Sequence, residues 1–130
     1  MDMDILIIGL SGNQALIDAL SSAHNRLIFC NSIFRAKQII RKQRLDFFVI
    51  GTDFGAENVS LFLDWVMLEC TLCGVVIERK INNKLCVKAI NSQVVFDYMT
   101  QNETKERYEQ IFISFIKRKP ECFESHRLSV

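Results

Sequence analysis

Asp46-Phe-Phe-Val-Ile-Gly51 decides how the rest of this sequence is read. Its apolar residues follow one another without a polar break, and a glycine closes the run. A strand with one wet face alternates apolar and polar residues; an unbroken apolar run marks a strand covered on both faces, as in a parallel sheet. Asp4-Ile-Leu-Ile-Ile-Gly9, Arg26-Leu-Ile-Phe-Cys-Asn31 and Gly74-Val-Val-Ile-Glu78 are built the same way.

Helical periodicity fills the intervals. Between Asn13 and Ala23, Ala15, Leu16, Ala19 and Leu20 recur at three-to-four spacing, with Asn13 as candidate N-cap. Between Ser32 and Arg44, Ile33, Ala36, Ile39 and Ile40 form one stripe. Between Asn58 and Cys70, Leu61, Phe62, Trp65, Val66 and Leu68 make a strongly apolar helix. Alternation of this kind is a series of βαβ units. After Glu78 two readings compete. Ile81-Asn-Asn-Lys84 fits a hairpin turn; alternatively Asn83 to Asn91 is a helix and Val94–Tyr98 a fifth strand. The second is favoured because it continues the alternation. Glu103 to Lys117 is a helix with Tyr108, Ile111, Phe112 and Phe115 on one face, and Pro120 is expected to end it.

Composition bounds the function. The chain has 130 residues, 49% of them hydrophobic, enough for one domain with a real core. Formal net charge is +1, from 16 basic and 15 acidic residues, so no whole-domain field draws in nucleic acid or an anionic membrane. The five cysteines show no secreted-framework spacing and are expected as free thiols in a reducing cytoplasm. No stretch reaches the ~20 apolar residues that span a bilayer, and the N-terminus lacks a basic signal-peptide region.

Four stretches carry a resemblance to a family. Asn13-Gln-Ala-Leu-Ile-Asp-Ala-Leu is similar to the first helix of response-regulator receiver domains, and Phe34-Arg-Ala-Lys-Gln-Ile-Ile to the second. Arg44-Leu-Asp-Phe-Phe-Val-Ile-Gly51 resembles their third strand, and Phe96-Asp-Tyr-Met-Thr-Gln-Asn102 their fifth. The resemblance implies an α/β, flavodoxin-like (βα)5 domain with a central parallel five-stranded sheet over residues 1–119.

It also implies where the active groups would stand, and they are missing. The acidic pair that holds Mg²⁺ is replaced within Gly9-Leu10-Ser11, the phosphoacceptor Asp by Gly51, and the Lys after the fifth strand by Gln101. The Ser or Thr after the fourth strand is replaced by Glu78-Arg79. Phosphoryl transfer needs a nucleophilic carboxylate and a cation to offset the phosphate charge. Asp53 lies two residues past Gly51; it reads either as a displaced acceptor or, in Thr52-Asp-Phe-Gly55, as an ordinary turn residue. No catalytic residue, metal or cofactor is expected.

Lys119-Pro-Glu-Cys-Phe-Glu-Ser-His-Arg-Leu128 is similar to the segment following the receiver in LuxR-type transcription regulators, most of all the CsgD group. The resemblance makes residues 120–130 the start of a linker toward a helix-turn-helix DNA-binding domain outside this chain. Relatives that bind cyclic di-GMP carry a Trp-[Phe/Leu/Met]-[Thr/Ser]-Arg motif where Phe123, Glu124, Ser125 and His126 stand here. With a carboxylate facing the phosphate and no Arg to fork it, that ligand is not expected.

The remaining features have ordinary readings. Cys70-Thr-Leu-Cys73 ends a helix instead of starting one, and lacks further ligands for zinc. His24 and His126 have no evident partner. Gly9-Leu-Ser-Gly12 is a strand-to-helix turn. Arg35, Lys37, Arg41, Lys42 and Arg44 read as a solvated helix face, and Phe62 and Trp65 as core. Homodimerisation is expected through Leu16, Ile17 and Leu20 on the first helix with Tyr108, Ile111, Phe112, Ile113 and Ile116 on the last. The alternative is a stand-alone adaptor that docks on a signalling partner.

Overall fold

The computed structural model describes residues 3–10, 12–21, 25–51, 53–78, 83–92 and 94–128, without the side chains of 83, 96 and 118–128. Strands β1 (Asp4–Ile8), β2 (Arg26–Cys30), β3 (Phe47–Gly51), β4 (Gly74–Glu78) and β5 (Val95–Thr100) alternate with five helices. These are α1 (Gln14–Ser21), α2 (Ile33–Lys42), α3 (Ala56–Glu69), α4 (Asn83–Asn91) and α5 (Lys105–Leu128). The segment from Asn83 is thus the expected helix and not a hairpin arm.

All strands pair parallel in the order β2-β1-β3-β4-β5. The chain steps one way from β1 to β2, then crosses back over β1 to β3. With right-handed crossovers, that reversal puts α1 on one face of the sheet and α2, α3 and α4 on the other. It also opens a crevice at the C-terminal ends of β1 and β3, where this topology places its sites.

Successive strand residues point to opposite faces, and the two cores follow that parity. Ile5, Ile7, Phe47, Val49, Val75 and Ile77 pack with α1 and α5. Leu6, Ile8, Phe48, Ile50 and Val76 pack with α2, α3 and α4. Phe47 stacks on Phe115 of α5 at 4.2 Å between ring centroids, while its neighbour Phe48 meets Phe62 of α3 edge-on at 5.7 Å. Each such buried side chain contributes roughly 1.5–3 kcal/mol.

Helix starts follow local chemistry. Asn13 Oδ1 accepts from the Leu16 amide at 3.2 Å, and Ser32 Oγ from the Arg35 amide at 3.1 Å. The third helix begins at Ala56, two residues earlier than the reading from Asn58, after Gly55 at φ 92°. The fifth strand runs on to Thr100, beyond the expected Tyr98. Pro120 does not end α5, which continues to Leu128. A proline inside a helix loses one hydrogen bond and crowds the carbonyl four residues back, at a cost of about 3 kcal/mol; Lys117, Lys119, Glu121 and Glu124 around it are sound helix formers that offset part of it. Residues 120–128 are thus helical and continue α5.

Candidate functional site

The crevice at the C-terminal edge of the sheet is an open cleft of about 290 Å³, lined by Gly9, Leu10, Gly12, Asn13, Gln14, Asp53, Gln101 and Asn102. The fold brings Leu10, Asp53 and Gln101 together here. Ser11 lies outside the described residues, as do Arg79 and His24, and so do the side chains of Phe123, Glu124, Ser125 and His126.

Gly51 ends β3 beside this cleft, fully buried. A β-carbon built on it would stand 2.8 Å from Leu10 Cδ2 and 3.0 Å from Leu10 Cγ. Leu10 itself is 3% exposed and belongs to the core. An apolar side chain thus fills the space directly beside Gly51. The tight turn above it depends on Gly9, at φ 79°, against which the Phe54 ring packs so closely that a β-carbon would lie 2.7 Å away.

The rest of the lining is mainly neutral. Asn13 Nδ2 donates to the Tyr108 hydroxyl at 3.1 Å, and that hydroxyl donates on to the Gln101 carbonyl at 3.1 Å. One tyrosine therefore ties the start of α1 to the end of β5. Asp53 is exposed at the rim. Among the described residues no three His, Cys, Asp or Glu side chains cluster as metal ligands.

Beside the cleft, at the end of β4, Glu78 is 2% exposed, the one buried charged residue among those described. It accepts a hydrogen bond from the Tyr98 hydroxyl, and its carbonyl accepts from the Gln101 amide at 2.6 Å. Sequence reasoning noted Glu78 only as a departure at the Ser/Thr position. Its carboxylate and Tyr98 lie on paired neighbouring strands, a juxtaposition that appears only once the β4–β5 register is known.

Several other expectations change. Leu16, Leu20, Tyr108, Ile111 and Phe112 are buried in the chain's own core between α1, α5 and the sheet, because the sheet face needs them all. Of the residues expected at a dimer interface, Ile113 is 51% exposed, and Ile17 and Ile116 are half-buried. Leu61 and Leu68 are exposed, whereas Phe62 is buried and Trp65 half-buried. The basic face of α2 is not only solvated: Lys37 Nζ and the Arg41 guanidinium sit 5.3 and 5.2 Å from the Trp65 ring. Cys73 is disulfide-bonded, so of the C-x-x-C pair only Cys70 is a free thiol. Burial pushes the Cys30 and Cys70 thiols up from the ordinary value. No described helix is long and apolar enough to cross a membrane.

No family model matches the sequence, and no curated protein matches it. Solved structures do match the fold. The signal receiver domain of an HD-domain-containing protein from Pseudomonas fluorescens superposes with a TM-score of 0.80 at 15% identity, over 93% of this chain and 99% of that one. A response regulator from Thermotoga maritima gives 0.78 at 13% identity, over 90% and 99%. The receiver domain of a putative LuxO repressor from Vibrio parahaemolyticus gives 0.75 at 14%, over 92% and 94%. The sheet order, the two helical layers and these superpositions agree: the chain has the flavodoxin-like fold of response-regulator receiver domains.

Proposed function

We propose that this chain is a receiver-like regulatory domain that works by association with other proteins and not by phosphoryl transfer. The observation that carries the reading is Leu10 packed against Gly51, an apolar contact where a receiver of this fold would carry an acceptor carboxylate. The neutral lining from Asn13, Gln14, Gln101 and Asn102 supports it, since a hard divalent cation calls for several anionic oxygens. No enzymatic step is assigned.

The similarity of residues 119–128 to the LuxR-type junction supports a more specific reading: the domain regulates a DNA-binding unit outside this chain, in the cytoplasm, as a homodimer. Two helix-turn-helix units need fixed half-site spacing, which a dimeric regulatory domain supplies. A helix that runs to Leu128 would transmit orientation better than a flexible linker. Net charge of +1 supports leaving specific DNA contacts to the other unit. A stand-alone adaptor shares the inert pocket and differs only in lacking that unit. Exposure to a phosphodonor with Mg²⁺ tests the shared core of both readings.

A further inference from the structure

We propose that the surface made by α2 and α3 is a self-complementary interface that docks a second copy of this chain. This rests on the reading of the domain as one that acts by association, and it replaces the α1–α5 face as the contact.

Charge on the two helices is segregated. Helix α2, IFRAKQIIRK, holds four cations and no carboxylate. Helix α3, AENVSLFLDWVMLE, holds three carboxylates and no cation. Among the described residues no ion pair engages Arg35, Lys37, Arg41 or Lys42; Asp64 pairs with Lys88 at 2.6 Å, while Glu57 and Glu69 are exposed.

Apolar surface lies between these charges. Leu61, Trp65 and Leu68 recur at four-and-three spacing, so they form one ridge along α3. Leu61 is 59% and Leu68 80% exposed, and Phe34 on α2 is 72% exposed. Lys37 and Arg41 reach over Trp65, which fixes α2 alongside this ridge and holds two of the cations in place. Large apolar side chains gathered on one face mark an interaction site.

Charge complementarity selects the occupant. A lipid headgroup layer or a nucleic-acid backbone is uniformly anionic; it would be drawn to α2 and repelled by α3. An acidic peptide satisfies one helix only. A second copy brings both signs. Both helices return the chain from the C-terminal to the N-terminal edge of the parallel sheet, so they run in the same direction. A twofold axis parallel to them lays α2 of each copy over α3 of the other, cation facing carboxylate twice, with Phe34, Leu61 and Leu68 enclosed between.

Sedimentation equilibrium at ~100 µM, where even weak specific pairs associate, tests this. The wild-type domain should be a dimer. Leu68→Glu should weaken it by roughly 30-fold or more, and Ile113→Glu on α5 should leave it intact. Far-UV circular dichroism should report native folding of both, since each side chain is exposed. Arg35→Glu with Lys42→Glu should weaken self-association, as should Glu57→Lys with Glu69→Lys, because each homodimer then meets like charge. Mixing the two double variants should restore a 1:1 heterodimer. A monomeric wild type, a Leu68→Glu dimer of unchanged affinity, or no recovery on mixing would overturn the interface. None of these outcomes bears on the inert pocket, which the phosphodonor experiment tests separately.

Discussion

Leu10 Cδ2 lies 2.8 Å from where a β-carbon on Gly51 would stand, so an apolar side chain occupies the room any larger residue at position 51 would need. A receiver that had merely exchanged its Asp for a small residue would keep an open, acidic cleft. Here Leu10 is apolar and part of the core, so introducing an Asp at position 51 alone should fail.

Gly51→Asp should therefore destabilise the domain and confer no phosphorylation. Overpacking against Leu10 costs about 1–3 kcal/mol, and the partly buried carboxylate adds to it. Chemical denaturation should show a lower midpoint with little change in slope. A Gly51→Asp variant as stable as the wild type would mean Leu10 does not fill that space.

Tyr98→Phe should destabilise more than Glu78→Gln. Removing the hydroxyl takes a donor away from a buried carboxylate, at a cost of about 1–3 kcal/mol. The Gln amide oxygen still accepts from Tyr98 and carries no charge to desolvate. Urea titration of the two variants reads the order, and the reverse order would contradict this account of the β4–β5 pair.

Asn13→Ala should lower stability by about 1 kcal/mol, the usual value of an N-cap. It also frees the Tyr108 hydroxyl from one partner. Asn13→Ser keeps an oxygen for the cap and should recover part of the loss. If both variants match the wild type in urea, the cap contributes nothing.

Cys30 and Cys70 should alkylate slowly in the folded state. Burial favours the neutral thiol and raises each above its ordinary value, and the thiolate is the nucleophile. The sign for stability follows: this preference is fully present below the ordinary thiol value and is lost as pH rises through the raised one. Iodoacetamide at pH 8 should modify both sites much faster in urea than in buffer. Equal rates would show that neither thiol is protected.

The sheet was legible because Phe47 to Ile50 and their counterparts form unbroken apolar runs, which few other architectures bury. The place of the cleft was legible, since Gly51 and Gln101 stand at or just past strand ends that periodicity locates. What filled the site was not: that Leu10 leans on Gly51, or that Tyr98 reaches Glu78, depends on register between strands far apart in sequence. Which side of α3 faces outward was not legible for a related reason. Leu61 and Leu68 share the helix with the buried Phe62 and Val66, and spacing alone does not say which of two apolar faces meets the sheet. Spacing puts Tyr108, Ile111 and Phe112 on one face of α5 but does not say that the sheet alone covers that face. Pro120 was read as a stop, whereas the helix formers on either side carry α5 through it.

The most direct test of the central claim is intact-mass spectrometry after incubating the domain with Mg²⁺ and acetyl phosphate. The mass should not change, while a competent receiver domain is phosphorylated in parallel under the same conditions. A phosphoryl adduct on Asp53, or on any other residue, would overturn the reading of an inert pocket.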